Sequence, residues 1–229
     1  MARLSPKRRH RAIPPKRFRV VAGASEQLTF PPTMSENVVR AAFNDRTVRV
    51  YQAYRPEIAI AALAAGRFVP PFKMGWMTWI KPSFNWMMYR SGYASKPRQE
   101  FVLGIDITRT GFEWALEHAT LSSFNGTVHG SPEGWANSLA TKCVRIQWDP
   151  ERDWRLNTIE GVRAIQVGLS GEAVERYVSE WIVNIEDMTQ TARKLADAAT
   201  SGIRPQNAPD SFERLYPTSS SHSHILGAT

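Results

Sequence analysis

One cysteine in 229 residues, Cys143, excludes an internal disulfide, and with no second thiol nearby it excludes a thiolate metal site. That usage fits an intracellular protein, cytoplasmic or nuclear. No apolar run approaches the roughly 18 residues that a membrane helix needs. The N-terminus is basic but has no apolar stretch of the secretory kind. The five histidines show no ligand spacing beyond His222-x-His224 near the C-terminus, so no metal is expected. Short nucleotide and hydrolase signatures are also missing. There is no GxGxxG after a strand, no GxxxxGK followed by Ser or Thr, no GxSxG and no HExxH.

Acidic residues are absent from the first 19 positions, which hold eight cations: Arg3, Lys7, Arg8, Arg9, Arg11, Lys16, Arg17 and Arg19. The whole chain has 29 basic and 21 acidic residues, so the remainder holds 21 of each and is formally neutral. The excess of +8 therefore belongs to the arm. Charge and proline over residues 1–34 predict a disordered basic arm, and nucleic acid is its expected partner through residues 1–19. Proline, serine and histidine over residues 203–229 predict a disordered tail.

The stretch between them, residues 35–202, reads as one globular α+β domain with a mixed, partly antiparallel sheet and flanking helices. Ser35 opens a short helical pattern, SENVVRAAF. Residues 48–54 are β-branched and aromatic and predict a strand. EIAIAALAAG, residues 57–66, predicts a helix with an acidic first turn and a glycine stop. Residues 101–107, FVLGIDI, form the clearest strand. A helix is expected over 109–118, strands over 144–148, 164–169 and 180–185, and a helix over 189–200. WDPERD, residues 148–153, reads as a solvated acidic loop rather than an ion site.

The densest aromatic run is WIKPSFNWMMYRSG, residues 79–92. Pro82 suits the first turn of a helix. Phe84, Met87, Met88 and Ser91 then share a core face, with Asn85, Tyr89 and Gly92 on the neighbouring one. Lys81 and Ser83 at the mouth of that helix suit an anionic ligand. An amphipathic core helix with an ordinary polar rim is the alternative.

The strings RVYQAYRPEIA, GRFVPPFKM, MTWIKPSFNWMMYRSG, VLGIDITRTGFEWAL, VRIQWDPERD and IQVGLSGEAVERYVSEWIVNIEDMT resemble the domain-of-unknown-function family 4291. The likeness runs from about Val39 to Leu195. The order of elements also resembles the ADP-ribosyltransferase fold. A strand with a polar residue leads into a PEIA-type helix. A hydroxyl-bearing element then leads into a second helix and a central strand, and a glutamate opens a late strand. That resemblance implies NAD as substrate and cleavage of its nicotinamide–ribose bond, with ADP-ribose passed to an acceptor. It implies Glu180, Gln52 and Ser83 as catalytic residues, and Tyr51, Tyr54, Arg55, Lys81, Tyr89 and Arg90 as NAD-binding residues. Gln52 stands where the superfamily usually has His or Arg. A different expectation is a non-catalytic nucleic-acid module, in which the basic arm supplies salt-sensitive affinity and exposed members of Trp76, Trp79, Trp86 and Tyr93 stack bases.

Overall fold

Alternation along Val48–Tyr54 sets the architecture. Val48, Val50 and Gln52 point to one face of their strand, and Arg49, Tyr51 and Ala53 to the other. Both faces are covered, so this strand lies between two layers rather than at a surface. The computed structural model describes residues 37–227. The basic arm expected over residues 1–34 lies outside the described residues.

In chain order the elements are β1 (Arg40–Ala41), β2 (Thr47–Tyr54), α1 (Pro56–Ala65), β3 (Thr78–Ile80), α2 (Phe84–Ser91), β4 (Phe101–Thr108), α3 (Arg109–Glu117) and β5 (Ala119–Leu121). Then come α4 (Gly126–His129), α5 (Pro132–Thr141), β6 (Val144–Arg152), β7 (Thr158–Leu169), α6 (Glu172–Arg176), a π-helical turn Tyr177–Trp181, and β8 (Ile182–Asp187). The chain continues through α7 (Thr189–Ser201), a 3-10 turn Pro209–Phe212, β9 (Arg214–Leu215) and α8 (Ser220–Leu226). The α+β class is as expected.

Two sheets organise these elements. One has three antiparallel strands in the order β2-β4-β8; the other has four in the order β3-β7-β6-β5, with β5 parallel to β6. Tyr51 and Lys81 join them by exchanging backbone hydrogen bonds, Tyr51 N–H to Lys81 O at 2.7 Å and Lys81 N–H to Tyr51 O at 3.2 Å. The main core lies between the sheets. Val48, Val50, Leu103, Ile105 and Ile107 meet Ile80, Val167, Leu169, Val144 and Ile146 there, with α1, α3 and Tyr177 closing the sides. A second core sits behind β2, where Tyr51 and Val102 pack on Phe84, Met87 and Met88 of α2 and on Ala192 and Leu195 of α7.

Local chemistry explains the helix ends. Pro56 starts α1, and Gly66, at φ 67°, stops it in the left-handed region where a side chain is strained. Ser83 caps α2 by accepting from Trp86 N–H at 3.2 Å.

Three expectations are corrected. Where the helix expected over SENVVRAAF falls on described residues, 37–43, the chain is extended, because Arg40–Ala41 pairs with Arg214–Leu215 from the far end of the sequence. The segment after Gly202 is ordered through 227 and not a loose tail: Ala208, Tyr216 and Leu226 are buried, and His222 reaches Glu117 at 3.4 Å. WDPERD is not a solvated loop. Strand β6 runs through Pro150 to Arg152 with an irregularity between Pro150 and Arg152, and Glu151 is buried.

Candidate active site

The outer face of the four-stranded sheet is polar. On β6 the residues Arg145, Gln147 and Asp149 alternate with buried Val144 and Ile146, and their partners on β7 are Gly168, Gln166 and Ala164. Trp79 of β3 shares this face and lies flat on Gly168; a Cβ there would stand 2.8 Å from the indole carbons. The absence of a side chain at Gly168 is thus what lets the half-exposed indole rest on the sheet.

Lys81 follows β3 and carries its amine into the angle between this face and α2. Its ammonium lies 3.1 Å from Asp149 Oδ2 and 2.9 Å from the centre of the Trp86 ring, and the residue is 2% exposed. Burial lowers the Lys81 pKa to about 7, against the opposing pull of Asp149 and Glu151; the nearby Arg90 charge lowers it further. An amine there exchanges its proton at neutral pH. Gln147 Nε2 donates to Asp149 Oδ1 at 2.9 Å, so one carboxylate is held from both sides. Gln147 also lines a cavity of about 280 Å3 whose walls include Ser122, Phe124, Asn125, Trp148 and Arg163.

Ser83 stands two residues on. Its hydroxyl donates to Glu151 Oε1 at 2.8 Å, and the same oxygen accepts from Arg152 N–H at 2.8 Å. Burial raises the Glu151 pKa and those two hydrogen bonds restrain the rise. Glu213, from the C-terminal segment, accepts from Phe84 N–H at 2.6 Å and so occupies the first free amide of α2. Burial, reinforced by the Glu151 charge, raises the Glu213 pKa well above the usual carboxylate range. Asn85 Nδ2 donates to Asp210 Oδ2 at 3.1 Å, while Asn85 Oδ1 and Asp210 Oδ1 are buried without a partner. Orphaned polar atoms are rare in folded interiors and each costs about 1–3 kcal/mol. Polar chemistry is therefore concentrated around the start of α2.

The residues expected in the site divide into two groups. Lys81, Ser83, Tyr89 and Arg90 come together on the α2 side, and Tyr51 supports them from beneath with its ring 5.1 Å from Phe84. Gln52 and Tyr54 face the opposite side of β2. Gln52 Nε2 donates to Thr78, Tyr54 and the Trp79 carbonyl, and its Oε1 accepts from Tyr177 at 2.7 Å, which leaves the amide fully engaged and 2% exposed. Tyr54, its hydroxyl 2.7 Å from that of Thr78, belongs to the same interior network. Arg55 precedes α1 at the surface and faces Glu57 at 3.6 Å.

Glu180 does not open a strand. It sits in the π-helical turn before β8, its side chain 57% exposed and 3.5 Å from Arg176. Gln52 and Ser83, expected together as catalytic residues, face different partners, Tyr177 and Thr78 for Gln52 and Glu151 for Ser83, because a pleated strand sends neighbours to opposite faces and Gln52 follows Tyr51. Asp149, Glu151, Gln147 and Glu213 were not among the expected site residues. The period-two spacing of Arg145, Gln147, Asp149 and Glu151 is a signal that one polar strand face continues through WDPERD. Glu213 has no such signal, since only long-range docking brings it to α2.

Among the described residues no group of three or more His, Cys, Asp or Glu is placed to hold a metal ion, and no helix is long and apolar enough to cross a membrane. No curated protein matches the chain. The domain of unknown function DUF4291 matches residues 38–216, a span that takes in the strand pair closing the domain and every residue of the Lys81–Glu213 cluster, and the chain belongs to that family.

Proposed function

We propose that the chain is an NAD-using, ADP-ribosyltransferase-like enzyme working from the Lys81–Asp149–Ser83–Glu151 cluster rather than from Gln52 and Glu180. The observation that carries this reading is the Lys81 amine, buried against Trp86 with Asp149 at 3.1 Å and a pKa near 7. Support also comes from the order of elements: a polar-bearing strand, a helix, a hydroxyl-capped helix and then a central strand.

The chemistry assigns each group a task. Asp149 is the member with solvent access, its side chain 17% exposed. Its carboxylate stabilises positive charge developing on the ribose as the carbon–nitrogen bond breaks and its electron pair leaves with nicotinamide. A lone pair of the acceptor forms the new bond to the same ribose carbon. The acceptor's proton passes through Asp149 to the neutral Lys81 amine, which becomes ammonium. Ser83 and Glu151 position the start of α2, Arg90 meets the pyrophosphate, and Trp79 and Tyr89 offer rings for the bases or nicotinamide.

The test is nicotinamide release from NAD together with thermal stabilisation by NAD. Asp149→Asn is expected to retain the stabilisation and to lose turnover by about 10²-fold or more, the scale of removing one electrostatic stabiliser. Glu180→Gln is expected to turn over as the parent does. No stabilisation by NAD and no nicotinamide release in the parent chain would reject the proposal.

A further inference from the structure

The body is formally neutral, yet its cations are not evenly spread. Arg90, Lys96, Arg98 and Arg155 are exposed and Arg152 is half-buried, all on the surface formed by the end of α2, the turn after it and the loop between β6 and β7. None of the five forms an ion pair with a described carboxylate. Arg152 donates to the Leu156 carbonyl and Thr158, Lys96 to the Tyr89 carbonyl and Arg155 to the Gly202 carbonyl, so their positive charge is held in place without being neutralised. The two acids of the same segments, Asp153 and Glu100, are half-buried. Asp153 accepts from Arg155 N–H and from Asn157, and Glu100 Oε1 accepts from Arg98 N–H. Both accept within their own loop, and Glu100 Oε2 is buried without a partner.

Aromatic rings are interleaved with these cations. Tyr89 is 42% exposed, with the Arg152 guanidinium 3.8 Å from its ring centre and Lys96 at 5.6 Å. Arg155 lies 4.9 Å from the Trp154 ring, and Tyr93 bonds the Trp154 carbonyl at 3.2 Å, which ties the two segments into one surface. Cations outside ion pairs, set beside the exposed Tyr89 ring and the half-buried Trp154 ring, match a strand that carries a phosphate on each nucleotide and an unstacked base beside it. A duplex keeps its bases stacked and offers the rings nothing.

We infer that this surface of the body, and not only the basic arm, binds single-stranded nucleic acid. The binding needs no NAD. The bound strand passes beside the Lys81 cluster, because Tyr89 packs on Trp86 and Trp86 covers Lys81.

The experiment measures fluorescence anisotropy of labelled twelve-nucleotide poly-U and poly-dT against the full chain over a salt series, without NAD. Replacing Arg90, Arg98 and Arg155 together by Gln is expected to lower the log–log salt slope by about 2, at roughly 0.7 per phosphate contact on a single strand. Tyr89→Ala is expected to weaken binding by roughly ten-fold or more through lost stacking. Lys81→Met is expected to leave it unchanged, which separates this inference from the NAD reading. All positions of the triple variant are exposed, so its fold is kept even if Tyr89→Ala disturbs packing. Binding and slope unchanged in the triple variant would overturn the inference. So would their loss on changing only Lys7, Arg8, Arg9 and Arg11 to Gln, tighter binding of a duplex, or capture by phosphatidylserine vesicles with no oligonucleotide binding.

Discussion

Glu213 brings its carboxyl to the first amide of α2 from 129 residues away, with Glu151 close enough to oppose its charge. Its pKa is raised by folding, so the folded state holds the proton more tightly than the unfolded chain does. The stability this gives is full below the ordinary carboxylate range and is lost as pH rises through the folded value. Glu213→Gln keeps an acceptor for Phe84 N–H without the titration. It is expected to melt near the parent at pH 4 and above it at pH 8; equal gaps at both values would show that Glu213 does not titrate with folding. Lys81 has the opposite sign. Its pKa falls to about 7 on folding from an ordinary 10.5, so the unfolded chain binds more protons between those values and this contribution to stability rises with pH across that window. Lys81→Met is expected to flatten the rise in melting temperature between pH 7 and 9.5, read by calorimetry. An unaltered slope would place the amine in water. The type of each of these residues was legible in the sequence, and for Lys81 and Ser83 so was their place at the mouth of α2. Their partners were not, because Asp149, Glu151 and Glu213 arrive through sheet pairing and C-terminal docking.

The element most at variance with its composition is the segment after Gly202. Proline, serine and histidine there signal a loose tail, yet it supplies a strand to β1, places Tyr216 between Phe43 and Phe112, and buries Leu226. The Tyr216 hydroxyl donates to Glu113 at 2.7 Å and accepts from Arg109. A few anchors at wide spacing hold the segment, and average polarity hides them. Tyr216→Ala is expected to cost about 3–5 kcal/mol, the range for deleting a buried ring, measured by urea unfolding. A cost below about 1 kcal/mol would show that the segment is dispensable to the body. Helix α2 is the contrasting case. The Ser83 cap and a left-handed Gly92 lie within its own stretch, so the helix forms where expected, although Pro82 stands one residue before the cap and not in the first turn.

At the scale of the molecule, the backbone bonds between Tyr51 and Lys81 couple the two sheets, and one core fills the space between them. Urea unfolding followed by tryptophan fluorescence and by far-ultraviolet circular dichroism is expected to give coincident curves. Separate midpoints would mean that the sheets open independently. By itself the sequence determined the charge division between arm and body, the missing signatures, the α+β class and most element types. Those depend on composition and on periods of two or 3.6 residues, which are short-range properties. The tertiary structure alone decided that Gln52 and Ser83 lie on opposite sides of β2, that Glu180 stands in an exposed turn, and that Asp149 and Glu151 line the α2 side. Pairing register and long-range docking select which faces meet, and a strand's own alternation does not say which of its two sides will look onto α2.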